Sequence, residues 1–194
     1  MKNDFCHLHC HTCYSVNDGL CRVEDMIQRA KELNFKYLAI TEHGRLGSAP
    51  SAAATALEPD SKGRTLESIV GCEIYICNGN MHVKESTDRE INGVTKRSRP
   101  RHAHACLLCI DEVGYANLVE MSNIGSIEGY YYEPRVDLDT IAAHSKGLVA
   151  TSGCMSGMIP QAILKEDYNR VDELVGWWHD VFGENFYLDR KSVV

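Results

Sequence analysis

The chain has 194 residues and a formal net charge of −7. That length suffices for one domain with a sizeable core, and a hydrophobic content of 44% excludes a disordered chain. The negative balance excludes a global basic field for nucleic acid, so a polyanion would have to be held by metals and local basic patches.

No run of 18 apolar residues appears and the N-terminus is polar. The sequence therefore predicts no membrane span and no secretory signal, with a cytoplasmic location as the expectation. Nine cysteines is a high, odd number. Most sit in apolar strand-like runs (Cys72, Cys77, Cys106, Cys109), which suits buried free thiols better than a disulfide framework. Two C-x-x-C pairs, Cys10 with Cys13 and Cys106 with Cys109, suggest a zinc finger. The second lies in a predicted strand, where a spacing of three puts its sulfurs on opposite faces. The first interrupts a histidine run.

That run is the first element. Residues 5–11 read as a strand, and strand side chains alternate faces with period two. His7, His9 and His11 then share one face, and Cys6, Leu8 and Cys10 the other. Three imidazoles on one face are donors for zinc, iron and similar ions. The alternatives are a polar surface strand or an affinity tag, and a tag would lack the apolar alternation. Residues 12–22, with Ser15, Asn17, Asp18 and Gly19, read as a loop. Val23, Met26, Ile27, Ala30 and Leu33 mark one face of a helix over 23–34. A buried strand over 37–41 leads into Glu42-His43-Gly44, which puts His43 just past a strand end. An alanine-rich helix is predicted over 49–57. A strand over 68–77 carries Glu73, and a buried carboxylate wants a partner, for which a metal qualifies.

Residues 78–101 are polar and turn-rich and read as a loop. They include Lys96-Arg97-Ser98-Arg99-Pro100-Arg101, either a mobile basic loop over an anionic substrate or a solvated surface loop. His102 and His104 open the next strand on one face. A helix over 111–123, an aromatic loop over 129–135 and a short helix over 137–144 follow. A strand over 148–151 ends in Ser152-Gly153-Cys154. Helices over 157–164 and 168–182 and a strand starting at 186 complete the pattern. Alternating strands and helices predict a parallel α/β architecture. His43 and Cys154 follow strand ends, as active-site residues do in α/β barrels.

Together these segments resemble the PHP (polymerase and histidinol phosphatase) family, and within it the branch at the N-terminus of bacterial DNA polymerase III alpha chains. The resemblance rests on Phe5-Cys-His-Leu-His-Cys-His-Thr-Cys-Tyr-Ser15, Asp18-Gly19, Ala39-Ile-Thr-Glu-His-Gly44, Ile69-Val-Gly-Cys-Glu-Ile-Tyr75, Glu128-Gly-Tyr-Tyr-Tyr-Glu-Pro-Arg135 and Ser152-Gly-Cys154. It implies an α/β fold, a distorted (β/α)7 TIM-like barrel, with up to three divalent transition metals (Zn, Mn or Fe). The implied ligands are His9, His11, Asp18, His43, Glu73, His104 and Cys154. His7, where many members carry aspartate, is implied to stand behind the ligands. Glu42 replaces the usual aspartate and lengthens an arm behind His43.

The implied activity is metal-dependent phosphoesterase chemistry, in the polymerase branch a 3′–5′ proofreading exonuclease on a DNA primer 3′ end. The implied partners are the rest of the polymerase alpha chain and replisome subunits. The alternatives are a non-catalytic domain supporting the polymerase and a free-standing histidinol-phosphate phosphatase. Arg135 is a candidate phosphate contact or a structural salt bridge. Tyr131, within the tyrosines at 130–132, is a candidate for stacking on an unpaired base or for packing. The family's late Asp-x-His pair is absent. The expectation is a PHP domain over 1–188, truncated before its last strands and not competent alone, and a non-native tail over 189–194.

Overall fold

The computed structural model describes residues 5–84, 87–91, 94–98 and 102–189. Its centre is a six-stranded sheet built from β1 (Tyr37–His43), β2 (Glu67–Ile76), β5 (Ala103–Cys109), β6 (Arg135–Val136), β7 (Leu148–Thr151) and β8 (Phe186–Tyr187). The strands lie in the order β1-β2-β5-β7-β8, and β6 pairs with β2 beyond the end of β1. β3 (Thr87–Ile91) and β4 (Val94–Ser98) form a separate antiparallel pair.

Period-two alternation decides which side chains meet. Leu38 and Ile40 of β1 pack outward under α1 (Val23–Glu32) and α2 (Ala49–Leu57). Cys72, Ile74 and Ile76 of β2, Ala105 and Leu107 of β5, and Leu148 and Ala150 of β7 enter a second, larger core. That core is closed by α3 (Glu112–Ile127), α4 (Leu138–Ala143), α5 (Met158–Leu164) and α6 (Tyr168–Phe182), with Trp178 of α6 2% exposed. Three of these helices start on an aspartate whose carboxylate accepts a backbone N–H of the first turn: Asp111 from Gly114, Asp137 from Thr140 and Asp167 from Arg170. Such caps satisfy donors that the helix itself cannot.

The intervening residues face the other way. The register aligns His43 with Glu73, Glu73 with Cys106, and Cys106 with Thr151. One row across four strands thus carries an imidazole, a carboxylate, a thiol and a hydroxyl. Tyr75 and His104 are paired in the same way further along β2 and β5.

Three expectations are corrected. The sheet is mixed rather than parallel: β5 runs antiparallel to both β2 and β7. The reason is the connection. Residues 78–101 hold the β3–β4 hairpin where a crossover helix would be needed to restore direction, so they are also not a plain loop. The basic residues Arg99 and Arg101 lie outside the described residues, as do 190–194 of the expected tail. Residues 5–11 are not a regular strand. They run beside β1 through Ala39 N–H to His7 O (2.9 Å) and Thr41 N–H to Cys10 O (2.8 Å). Those spacings, two residues on β1 against three on the segment, insert an extra residue, as a bulge does. The extra residue breaks the shared face of the three histidines. The remaining predicted elements lie within a few residues of their expected positions, and the α/β class stands.

The two edges of the sheet approach one another. His9, on the segment outside β1, has its Nδ1 3.8 Å from the Asp189 carboxylate, just past β8 at the opposite edge. Asp189 is anchored by its N–H to Ser152 Oγ at 2.8 Å. The sheet therefore curls with its imidazole-bearing face inward. Among the described residues no helix is long and apolar enough to cross a membrane.

Candidate metal centre

Glu73 sits at the middle of the inward row, with its side chain 1% exposed. Its Oε1 lies 3.3 Å from His9 Nε2 and 3.1 Å from His104 Nδ1. Its Oε2 lies 3.4 Å from His11 Nε2 and 2.7 Å from His43 Nδ1. Four imidazoles from three separate parts of the chain thus surround one buried carboxylate. His43 reaches outward through Nε2 to Asp18 Oδ2 at 2.9 Å. His104 Nδ1 is also 3.8 Å from Cys154 Sγ, which accepts the Ser156 N–H. All seven residues expected as ligands are therefore brought into one connected cluster.

The donor set fits divalent metals. Three groups have donor atoms within 4.8 Å of one another: His9, Glu73 and Cys106; His11, Asp18 and His43; and His43, Glu73 and His104. Neighbouring groups share Glu73 or His43, as ligands of adjacent ions do. His43 Nδ1 and Glu73 Oε2 are buried and close, yet neither completes a hydrogen bond among the described residues. Buried polar atoms without partners are costly, and a cation between them would satisfy both. Imidazole and thiol donors suit transition metals better than Mg or Ca.

The charges agree with this. Burial opposes ionisation of Glu73, but the close imidazoles of His104, His43 and His9 outweigh it and hold the carboxyl well below the usual carboxylate range. Burial likewise disfavours the His104 cation, but Cys154 and Glu73 outweigh it and push the pKa up to about 9. The hydrogen bond from His104 lowers the Cys154 thiol. In the metal-free protein His104 is thus protonated at neutral pH, and a metal binding there must displace that proton. Metal affinity is expected to rise by about tenfold per pH unit between about pH 7 and 9, as read by competition with a coloured chelator. The metal-free fold has the opposite dependence. A folded pKa above the unfolded one gives stabilisation that is full below about 6.5 and is lost as pH rises through about 9.

Glu42 works at one remove. It is 1% exposed and accepts the Thr12 N–H at 3.2 Å together with the Thr12 and Ser15 hydroxyls. Ser15 Oγ in turn accepts the His43 N–H at 3.1 Å and lies 3.3 Å from His11 Nδ1. The longer arm therefore clamps the loop that precedes Asp18 rather than pressing on His43 directly.

Two placements differ from expectation, and a third agrees with one of its two readings. His7 packs against the rings of Phe5 and Phe35, at 4.7 and 5.6 Å, away from the carboxylate. Arg135 is 4% exposed and donates to the carbonyls of Gly129, Met81 and Val83. Its guanidinium is spent on the backbone, which makes it neither a phosphate contact nor a salt bridge. Tyr131 lies under that guanidinium, 5.2 Å away, and is packed.

Sequence reasoning overlooked Cys106, Asp189 and Tyr75. Cys106 follows His104 by two and shares its face, a signal that was present. Asp189 lies two residues past β8 and was assigned to the tail. Tyr75 stacks beside His43 at 5.7 Å and edge-on to His104 at 4.9 Å.

The PHP domain family model matches residues 7–192. The DNA polymerase III subunit alpha of Borreliella burgdorferi is 34% identical over 188 residues, covering 97% of this chain and 15% of that protein. The DNA polymerase III subunit alpha of Chlamydia trachomatis is 36% identical over 182 residues, covering 94% of this chain and 14% of that one. The chain thus spans about one seventh of these relatives' length. Among solved structures, an amidohydrolase from Chromobacterium violaceum aligns at a TM-score of 0.49 and 14% identity, covering 96% of this chain and 86% of that one.

Proposed function

The chain belongs to the PHP domain family, and from that premise we propose that it is a metal-dependent phosphoesterase unit of a DNA polymerase III alpha chain. The observation that carries this reading is the buried Glu73 carboxylate ringed by His9, His11, His43 and His104. These residues, with Asp18 and Cys154, would hold up to three divalent transition metals. Such ions supply Lewis acidity, acidifying water and neutralising phosphate charge.

The chain's own residues do the rest. Glu73 offsets positive charge from a position water scarcely reaches. Glu42, through Thr12 and Ser15, keeps the Asp18 loop and His43 in register. His104 gives up a proton as the centre loads. The substrate we propose is the 3′ end of a DNA primer, shortened in the 3′–5′ direction. The rest of an alpha chain and other replisome subunits are the proposed partners. Support comes from the alpha-subunit relatives that the chain matches over 94% or more of its own length.

The test is a 3′-mismatched primer incubated with the chain, reconstituted with Mn2+ and then freed of excess metal. The expected result is stepwise loss of 3′ nucleotides, with bound metal found by elemental analysis, an outcome that would overturn the expectation that residues 1–188 are not competent alone. Bound metal without shortening would favour the non-catalytic supporting role. Hydrolysis of histidinol phosphate but not of primer would favour the free-standing phosphatase.

A further inference from the structure

Cys13 and Cys21 are the two exposed cysteines, and all nine cysteines are free. The two stand opposite one another at the mouth of the loop that carries Asp18, where the Cys13 N–H donates to Cys21 O at 2.8 Å. Cys10, which the sequence spacing pairs with Cys13, is half-buried and packs instead against the core of α1 and α2.

Both ends of the loop are anchored. Thr12, next to Cys13, is buried and bound to Glu42. Cys21 precedes Arg22, whose carbonyl accepts the Met26 N–H as α1 opens. Between them the chain is already turned. Ser15 O accepts the N–H groups of Asp18 and Gly19 at 3.1 and 2.8 Å, and a Cβ on Gly19 would meet Thr12 O at 1.8 Å. Residues joined by a backbone bond between extended segments have Cα atoms about 5.5 Å apart, and a disulfide spans about 4.4–6.8 Å. A bond between the two sulfurs therefore fits the loop as it stands.

We propose that Cys13 and Cys21 are a reversible redox pair, oxidised by small-molecule disulfides, that closes residues 13–21 into a ring around Asp18. One thiolate attacks a sulfur of the reagent, forming a mixed disulfide and expelling one small thiol. The second thiolate attacks the protein sulfur of that mixed disulfide, closing the crosslink and expelling the second small thiol. The pair loses two electrons and two protons, and the reagent gains them as two thiols. Asp18 bonds His43 at 2.9 Å through a side chain that is 52% exposed, so the redox state of the pair sets how freely its segment opens. Exposed pairs of this kind in reducing compartments act as sensors rather than as permanent staples.

The experiment equilibrates the whole chain, in EDTA, with mixtures of glutathione disulfide and glutathione, then blocks the remaining thiols. An endoproteinase that cuts before aspartate separates Cys13 from Cys21 at Asp18, so the crosslink joins peptides 4–17 and 18–24. The expected product is that joined pair with the mass of two hydrogens lost. It should vanish in Cys13→Ser and in Cys21→Ser but survive Cys6→Ser and Cys10→Ala. The oxidised chain should melt roughly 5 °C above the reduced one. Its Asp18 and Gly19 amide hydrogens should exchange about tenfold more slowly, and dithiothreitol should reverse both changes. Three results would overturn the proposal: glutathione held on Cys13 or Cys21 with no crosslink at any ratio, a crosslink running through Cys6 or Cys10, or a joined pair with unchanged exchange at Asp18. None of these measurements involves a metal or a phosphate ester, so they stand apart from the phosphoesterase reading.

Discussion

Glu73→Gln is expected to remove bound metal and phosphoesterase activity together while leaving the secondary structure in place. The substitution keeps the shape of the side chain and deletes one charge. Two of the three donor groups in the centre use this carboxylate, so its loss should weaken more than one ion. Disturbing a residue that merely orients a metal ligand typically costs 10–100-fold in affinity, so losing a shared ligand should cost about a hundredfold or more. His9→Ala with His11→Ala should act in the same direction, because each ring stands within 3.4 Å of Glu73. Elemental analysis after dialysis and a phosphodiester assay read the two losses. Retained metal with lost activity would move Glu73 from holding metal to acting on substrate. Full activity would end the metal-centre reading.

The pH dependence of the variant separates these roles from a generally weakened fold. In the native chain Glu73 helps hold His104 protonated to about pH 9. Without that anion the His104 pKa should fall. The alkaline loss of stability in the metal-free protein should then begin at a lower pH, as expected when a folded-state pKa moves back toward its unfolded value. A variant that is less stable at every pH by the same amount would instead have lost packing.

Much of this centre was legible in the sequence because two simple periodicities place it. Alternation put Glu73 on the face opposite Cys72 and Ile74, and His104 opposite Ala105 and Leu107. Helical spacing identified α1. What was not legible depends on contacts between distant segments. The direction of β5 is set by what joins it to β2, and a polar, turn-rich stretch hides a hairpin as readily as a loop. The bulge between His7 and Cys10 turns His7 onto Phe35, and no local residue choice announces it. Glu42 occupies a strand position whose partners, Thr12 and Ser15, lie about thirty residues earlier. Asp189 enters only because the sheet curls and brings β8 near His9. Cys106 is different: its position was readable, but a cysteine in an apolar strand is more often a small hydrophobe than a donor.

Arg135 shows the same distinction at full strength, and Arg135→Met is the substitution expected to cost most in stability. An arginine after an aromatic loop, in a chain thought to act on phosphate, invites a substrate role. In the fold it is buried and donates at 2.9, 2.9 and 2.7 Å to the carbonyls of Gly129, Met81 and Val83. It thereby ties the aromatic loop to the segment that follows β2. The tie is tight: a Cβ on Gly129 would meet Arg135 O at 1.9 Å. Methionine keeps most of the aliphatic bulk but leaves these carbonyls without their donor. Hydrogen bonds to a charged group contribute about 1.5–3 kcal/mol each, and the carbonyl of exposed Val83 recovers part of its bond from water. A loss of about 3–5 kcal/mol follows, or a melting temperature lower by roughly 10 °C for a chain of this size. Gly129→Ala should destabilise the same corner, through collision rather than a lost donor. A phosphate contact would behave otherwise, with KM for the phosphodiester rising while the melting temperature stayed where it was. Calorimetry of the metal-free variant therefore decides the point without any assay of activity: an unchanged melting temperature would return Arg135 to the substrate.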